Sequence, residues 1–254
     1  MTEPTGRQRP KRVALFVTCL GDAFYPQVGE ATVRLLNRLG MTVDFPLGQT
    51  CCAQPAFNAG FHDQARQVAE RNLQLFADHD YIVVPSGSCT AMIRLFYADL
   101  FDADPDLRRQ AASMASRTYE LSEFLFSVVG IDDVGAAFPG KVAYHASCHL
   151  QRELGVAEAP RRLISQVSGI EACDAEMSEQ CCGFGGTFAV KYPEISSAML
   201  EKKIDSLQRA GADTLVSCDA GCLMHIAGRL RRQGKDVKVL HLAELLNAGH
   251  DEEP

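Results

Sequence analysis

The residues best equipped for chemistry in this 254-residue chain are its ten cysteines, at positions 19, 51, 52, 89, 148, 173, 181, 182, 218 and 222. Nine of them fall into two matching groups. Cys19, the adjacent pair Cys51 and Cys52, and Cys89 form the first; Cys148, the adjacent pair Cys181 and Cys182, Cys218 and Cys222 form the second. Cys148, Cys181 and Cys222 stand 129, 130 and 133 residues after Cys19, Cys51 and Cys89. So steady an offset marks an internal duplication. Cys173 lies outside the pattern and reads as a small packing residue. Adjacent cysteines make a strained bridge, and a reducing compartment disfavours disulfides altogether. Structural zinc prefers ligands two to four residues apart, a spacing that only Cys218 and Cys222 meet. Adjacent side chains diverge, which suits an object larger than one ion. An iron–sulfur cluster is such an object, because each of its irons takes its own thiolate.

Other residues near these cysteines have two readings each. Gly183, Gly185 and Gly186 follow the second pair without the Lys-Ser/Thr of a phosphate loop. Glycines there let the backbone pass close to a cluster and donate N–H groups to it. Lys191 offers positive charge, or is a solvated surface residue. His145 and His149 flank Cys148, and His225 follows Cys222 by three residues. Each is either a ligand or proton donor beside the second group, or polar filler at a strand end. Arg152 carries the same pair of readings.

The elements that must position the cysteines repeat as well. Residues 13–18 are a continuous apolar run entering Cys19, and residues 142–146 run likewise into Cys148. Such runs read as strands buried on both faces. Residues 26–39 carry apolar positions at helical spacing; 41–45 read as a strand, 56–77 as a helix and 81–84 as a strand entering Cys89. In the second half the order is helix 158–167, strand 170–174, helix 193–210 and strand 214–216, then strand 237–240 and helix 242–247. Residues 104–129 read as a helical connection. This alternation predicts an α/β fold of two pseudo-symmetric, Rossmann-like βαβ repeats with mainly parallel sheets. Sites in such sheets lie beyond the carboxyl ends of the strands, and each cysteine cluster sits there. The first repeat, with its connecting helix, is expected over 11–132 and the second over 139–248.

Composition narrows the function classes. Apolar residues make up 46% and charged residues 22%, as in an ordinary soluble globular protein. Twenty-five basic side chains against thirty-two acidic ones give a net charge of −7, which argues against nucleic-acid binding. The polar leader through residue 12 and the tail 250–254 read as solvated ends, with no signal-peptide core. No apolar run approaches the roughly 18 residues needed to span a bilayer. A cytoplasmic protein is expected, with any membrane association peripheral and through partners.

The spaced motifs resemble a known family. The pattern of a lone Cys, a Cys-Cys pair with Gly, and a closing Cys is similar to the cysteine-rich CCG domain of heterodisulfide reductase and of related iron–sulfur proteins. Cys51-Cys-Ala-Gln-Pro-Ala-Phe-Asn58, Pro85-Ser-Gly-Ser-Cys89, Cys181-Cys-Gly-Phe-Gly-Gly186, Cys222-Leu-Met-His225 and His241-Leu-Ala-Glu-Leu-Leu246 resemble the lactate-utilisation protein A family. The resemblance runs from about residue 11 to 247. It implies an iron–sulfur electron-transfer subunit of a multi-component system that oxidises L-lactate to pyruvate. Its expected partners include a ferredoxin-like iron–sulfur protein. It further implies a [4Fe–4S] cluster, non-cubane in heterodisulfide reductase, on Cys148, Cys181, Cys182, Cys218 and Cys222. Cys19, Cys51, Cys52 and Cys89 match the motif in part: Ala53 replaces its Gly, and Pro85 stands where the second half has Cys218. A second cluster there has one thiolate fewer to draw on. Two other readings stay open: an enzyme that reduces a disulfide or quinone, and a structural zinc or thiol-switch module.

Overall fold

Short strands organise the molecule, and residues 13–15, 82–84 and 214–217 are buried on both faces of their sheets. The computed structural model describes residues 10–250, so the solvated ends anticipated at 1–9 and 251–254 lie outside the described residues. Strands β1 (Arg12–Leu15), β2 (Thr42–Asp44), β3 (Ile82–Val84) and β4 (Thr118–Glu120) form one sheet in the order β2-β1-β3-β4. Strands β5 (Ala137–His145), β6 (Ser168–Cys173), β7 (Thr214–Ser217) and β8 (Lys238–His241) form a second in the order β6-β5-β7-β8. Every pairing is parallel, with Ala14 opposite Ile82 in one sheet and Val142 opposite Thr214 in the other. The fold is therefore α/β, with two four-stranded parallel sheets of the same topology.

Alternation along the strands divides the core into three. Val13, Val83, Val142 and Val216 face a central cluster between the sheets. Helix Pro26–Arg38 brings Leu35 and Leu36 to this cluster, helix Glu158–Ser165 brings Leu163, and Leu242–Leu245 brings both its ends. Ala14, Ile82 and Val84 face an outer cluster built with helix His62–Leu75 and helix Pro105–Ser116. Ala143 and Leu215 face the opposite outer cluster, built with helices Pro193–Arg209 and Ala220–Arg232. Each large apolar side chain fully buried this way contributes roughly 2 kcal/mol.

The connection over 104–129 departs from the all-helical expectation. Its helix ends at Ser116, and β4 follows before the chain turns helical again from Leu121. Three residues, Thr118-Tyr-Glu120, are too few to break a helical periodicity read over a longer window. No helix among the described residues is long and apolar enough to cross a membrane.

Candidate metal centre

In both sheets the strand order reverses beside the first strand, between β1 and β3 and between β5 and β7. That crevice, at the carboxyl ends, is where this architecture places sites. Cys19 opens helix Cys19–Phe24 directly after the β1 segment, capped by Thr18, whose Oγ1 accepts from the Gly21 N–H at 3.1 Å. Cys89 sits in helix Gly87–Ala91 after β3. Cys148 follows β5, and Cys222 sits in the first turn of helix Ala220–Arg232 after β7. The two adjacent pairs occupy the loops after β2 and β6.

Eight thiols come together as two groups of four around one cavity of about 410 Å³. Cys19, Cys51, Cys52 and Cys89 line it from the first half; Cys148, Cys181, Cys182 and Cys222 line it from the second. Cys19 Sγ lies 3.5 Å from Cys51 Sγ, and Cys182 Sγ lies 3.4 Å from Cys222 Sγ. The electrostatics repeat across the halves. Hydrogen bonds from Cys19 and then Cys52 hold the Cys51 thiol far below its ordinary pKa, and those from Cys148 and Cys182 do the same for Cys181. Cys19 and Cys148, which give those hydrogen bonds, are pushed up. Cys52 and Cys182 are raised by their sulfur neighbours and by burial. Backbone N–H groups add to this: Ala53 donates to Cys51 Sγ, Gly183 to Cys181 Sγ and Phe184 to Cys182 Sγ, each at 3.4 Å.

Cys218 does not share the arrangement. It is fully buried in the central cluster, two residues beyond Val216 and on the same side of the strand, with Tyr144 Oη 3.7 Å from its sulfur. Strand alternation turns position 218 away from the cavity, and Pro85 occupies the corresponding position after β3. Counted by sequence, the second half holds a fifth thiol; by geometry, each half presents four to the cavity. Cys173 ends β6 and packs at the margin of the second outer cluster.

The remaining candidates separate cleanly. Gly185 and Gly186 line the cavity, as does His149. His145 is buried, with Nδ1 3.2 Å from the Ser178 carbonyl and no hydrogen-bond partner on Nε2. A ring nitrogen of His145 and the sulfurs of Cys182 and Cys222 lie within 4.8 Å of one another. Burial pushes the His145 pKa down to about 3, so the ring is neutral. His225 instead lies 3.1 Å from Ser196 Oγ, which donates to the Gly183 carbonyl at 2.7 Å and so braces the glycine loop. Arg152 donates to the Glu179 carbonyl, and Lys191 is exposed at the end of helix Phe188–Lys191.

The residue after each cysteine pair adopts a left-handed backbone, at φ 71° for Ala53 and 89° for Gly183. At Gly183 a Cβ would also stand 2.8 Å from the Ser196 carbonyl oxygen. Gly183→Ala is expected to lower the unfolding free energy of the metal-free protein by about 2 kcal/mol, from backbone strain and that overlap. Ala53→Gly should change it by less than about 1 kcal/mol, since relief of strain is offset by greater freedom in the unfolded chain. Urea denaturation of both variants measures the contrast.

Asp219 was not singled out by sequence, yet it ties the halves together at the cavity. Its Oδ1 accepts from the Gly221 N–H at 3.1 Å, capping helix Ala220–Arg232. Its Oδ2 accepts from Ser88 N–H at 2.9 Å and Ser86 Oγ at 3.1 Å in the other half. Gly87 N–H donates to the Cys218 carbonyl at 3.3 Å, and a Cβ on Gly87 would overlap Leu150. Asp-Ala-Gly before an apolar helix is the available signal for this role.

The donor set fits a thiophilic metal group. It supplies four thiols per half, backbone N–H groups aimed at sulfur, an orphaned imidazole nitrogen and a cavity larger than one ion needs. Fold and site together describe a duplicated α/β protein whose cysteines converge from two repeats. The signature of the CCG cysteine-rich domain matches the chain twice, over residues 13–94 and 142–227. The chain is 50% identical over 237 residues to lactate utilization protein A of Geobacillus kaustophilus (strain HTA426), covering 93% of this chain and 99% of that one. With the protein of the same name from Bacillus subtilis (strain 168), identity is 48% over 237 residues, covering 93% and 99%. The chain belongs to the lactate utilization protein A family of CCG-domain proteins. Its fold is shared with a hypothetical protein from Helicobacter pylori at a TM-score of 0.62 and 14% identity, with 97% of this chain covering 50% of that one.

Proposed function

We propose that this chain is an iron–sulfur electron-transfer subunit of a cytoplasmic, multi-component system that oxidises L-lactate to pyruvate. The observation that carries this reading is the pair of four-thiol groups facing one cavity, in a chain whose relatives are named for lactate utilization. Cys148, Cys181, Cys182 and Cys222 would hold one [4Fe–4S] cluster, and Cys19, Cys51, Cys52 and Cys89 a second. The repeats 11–132 and 139–248 would then each contribute one centre. Such a group supplies one-electron transfer without proton or hydride chemistry. The chain's own residues hold it: Cys51 and Cys181 offer the readiest thiolates, and the loop N–H groups stabilise negative charge on sulfur. Dehydrogenation of lactate falls to a partner, and electrons pass to or from a ferredoxin-like iron–sulfur protein.

L-Lactate added to the anaerobic chain together with its partner components should bleach the chain's visible sulfur-to-iron absorbance. The chain alone should show no bleaching. Lactate oxidation by the isolated chain, or no bleaching in the full mixture, would overturn the assignment. The predominantly apolar cavity shared by both thiol groups favours a second reading, reduction of a disulfide or quinone bound there. Under that reading an artificial donor supports disulfide reduction, and Cys148→Ala or Cys182→Ala abolishes it.

A further inference from the structure

The two thiol groups match in their cysteines but not in what lies beneath them. Helices His62–Leu75 and Pro193–Arg209 follow the two cysteine pairs. Aligned on their first residues, their buried positions coincide: Ala65 with Ser196, Ala69 with Leu200, Leu73 with Ile204, and Asn72 with Lys203. Asn72 is fully buried, and its Nδ2 donates to the Cys51 carbonyl at 3.0 Å and to Tyr97 Oη at 2.9 Å. Tyr97 passes the contact on to the Cys52 carbonyl at 3.1 Å. The first pair therefore rests on a neutral network. Lys203 is 2% exposed, and its Nζ donates to the Met177 carbonyl. It lines one small cavity with His145, whose ring nitrogen lies within 4.8 Å of the Cys182 and Cys222 sulfurs. Burial lowers the Lys203 pKa to about 8, and negative charge on the second half's thiols opposes that shift.

A second position differs as well. Phe16 stands three residues before Cys19 and His145 three residues before Cys148. Both are buried, but the first is an apolar ring and the second an imidazole with a ring nitrogen within 4.8 Å of the Cys182 and Cys222 sulfurs. Reduction adds one electron, and its negative charge is stabilised by a buried cation.

We propose that the centre held by Cys148, Cys181, Cys182 and Cys222 has the higher reduction potential of the two, and that Lys203 sets the difference. An electron entering the chain is then held in the second half in preference to the first, with no bond broken and no proton moved. Lys203 is a positioning charge and not a ligand. The proposal rests on the iron–sulfur reading above.

The test is a dye-mediated potentiometric titration of the anaerobic, metal-loaded protein followed by EPR, with iron and sulfide assayed in each sample. Cys182→Ser and Cys52→Ser assign signals to the halves. In the wild type the second-half signal should develop first. Lys203→Asn should make that centre at least tenfold harder to reduce, about 59 mV for one electron, and Lys203→Arg should restore it. A merely structural role for Lys203 would change metal content without moving the potential of the centres that remain. Equal midpoints in the wild type, or an unmoved midpoint in Lys203→Asn at full metal content, overturn the proposal. If Lys203→Asn loses its metal, the order of reduction in the wild type decides alone. Absence of iron and sulfide from the wild type would instead overturn the iron–sulfur reading on which the proposal stands.

Discussion

Cys182→Ser or Cys222→Ser should strip the second half of its metal, whereas Cys218→Ser should leave it in place. The reason is positional. Cys182 and Cys222 are buried at 2% and 7% exposure with their sulfurs 3.4 Å apart, facing the cavity. A serine oxygen is a poor ligand for soft thiophilic metals, so loss of either sulfur leaves that half three thiolates where the cluster needs four. Cys218 is fully buried on the other side of the β7 terminus, among the apolar residues of the central core. A serine there buries a hydroxyl with Tyr144 and Ser122 within reach, which costs about 1–2 kcal/mol of stability but no metal. Cys52→Ser and Cys89→Ser should act on the first half as Cys182→Ser and Cys222→Ser act on the second. Iron and sulfide content of each purified variant reads this directly. Metal loss in Cys218→Ser with retention in Cys222→Ser would reverse the ligand assignment.

Asp219→Ala should be the most damaging single substitution outside the cysteines. The carboxylate is 5% exposed and accepts three hydrogen bonds, two of them from the opposite half. Hydrogen bonds to a charged acceptor contribute about 1.5–3 kcal/mol each, and an N-cap about 1 kcal/mol. Truncation leaves the Ser88 and Gly221 N–H groups without partners beside an apolar cavity. The expected loss is about 4 kcal/mol of unfolding free energy, a large fraction of a typical domain's total. Because Ser88 and Gly221 neighbour Cys89 and Cys222, metal should be lost from both halves together. Asp219→Asn, which keeps one acceptor oxygen, should fall between. Chemical denaturation gives the stability change, and metal assay separates loss in both halves from loss in one.

Much of this arrangement was legible in the sequence because the strands are continuous apolar runs that end at cysteines. Residues 13–18, 81–84, 142–146 and 214–216 each locate a strand, and the cysteine offsets locate the duplication. Strand β4 escaped because Thr118-Tyr-Glu120 is shorter than any periodicity window. Cys218 attracted attention through its spacing to Cys222, but spacing does not say on which side of a strand end a side chain emerges. Ala53 reads as a departure from the motif, whereas its φ of 71° places it in the backbone conformation that Gly183 adopts. Lys203 left a signal that was available and unused: it lies on the apolar stripe of its helix with Ser196, Leu200 and Leu207, where a lysine is unexpected. The cavity itself required the docking of two sheets, which no local pattern encodes.

The most direct test of the central claim is an assay of iron, acid-labile sulfide and zinc on protein isolated without oxygen. Two four-iron centres predict about eight irons and about eight sulfides per chain, with no stoichiometric zinc. Stoichiometric zinc with no sulfide would contradict the account and make the eight thiols a structural or switching site.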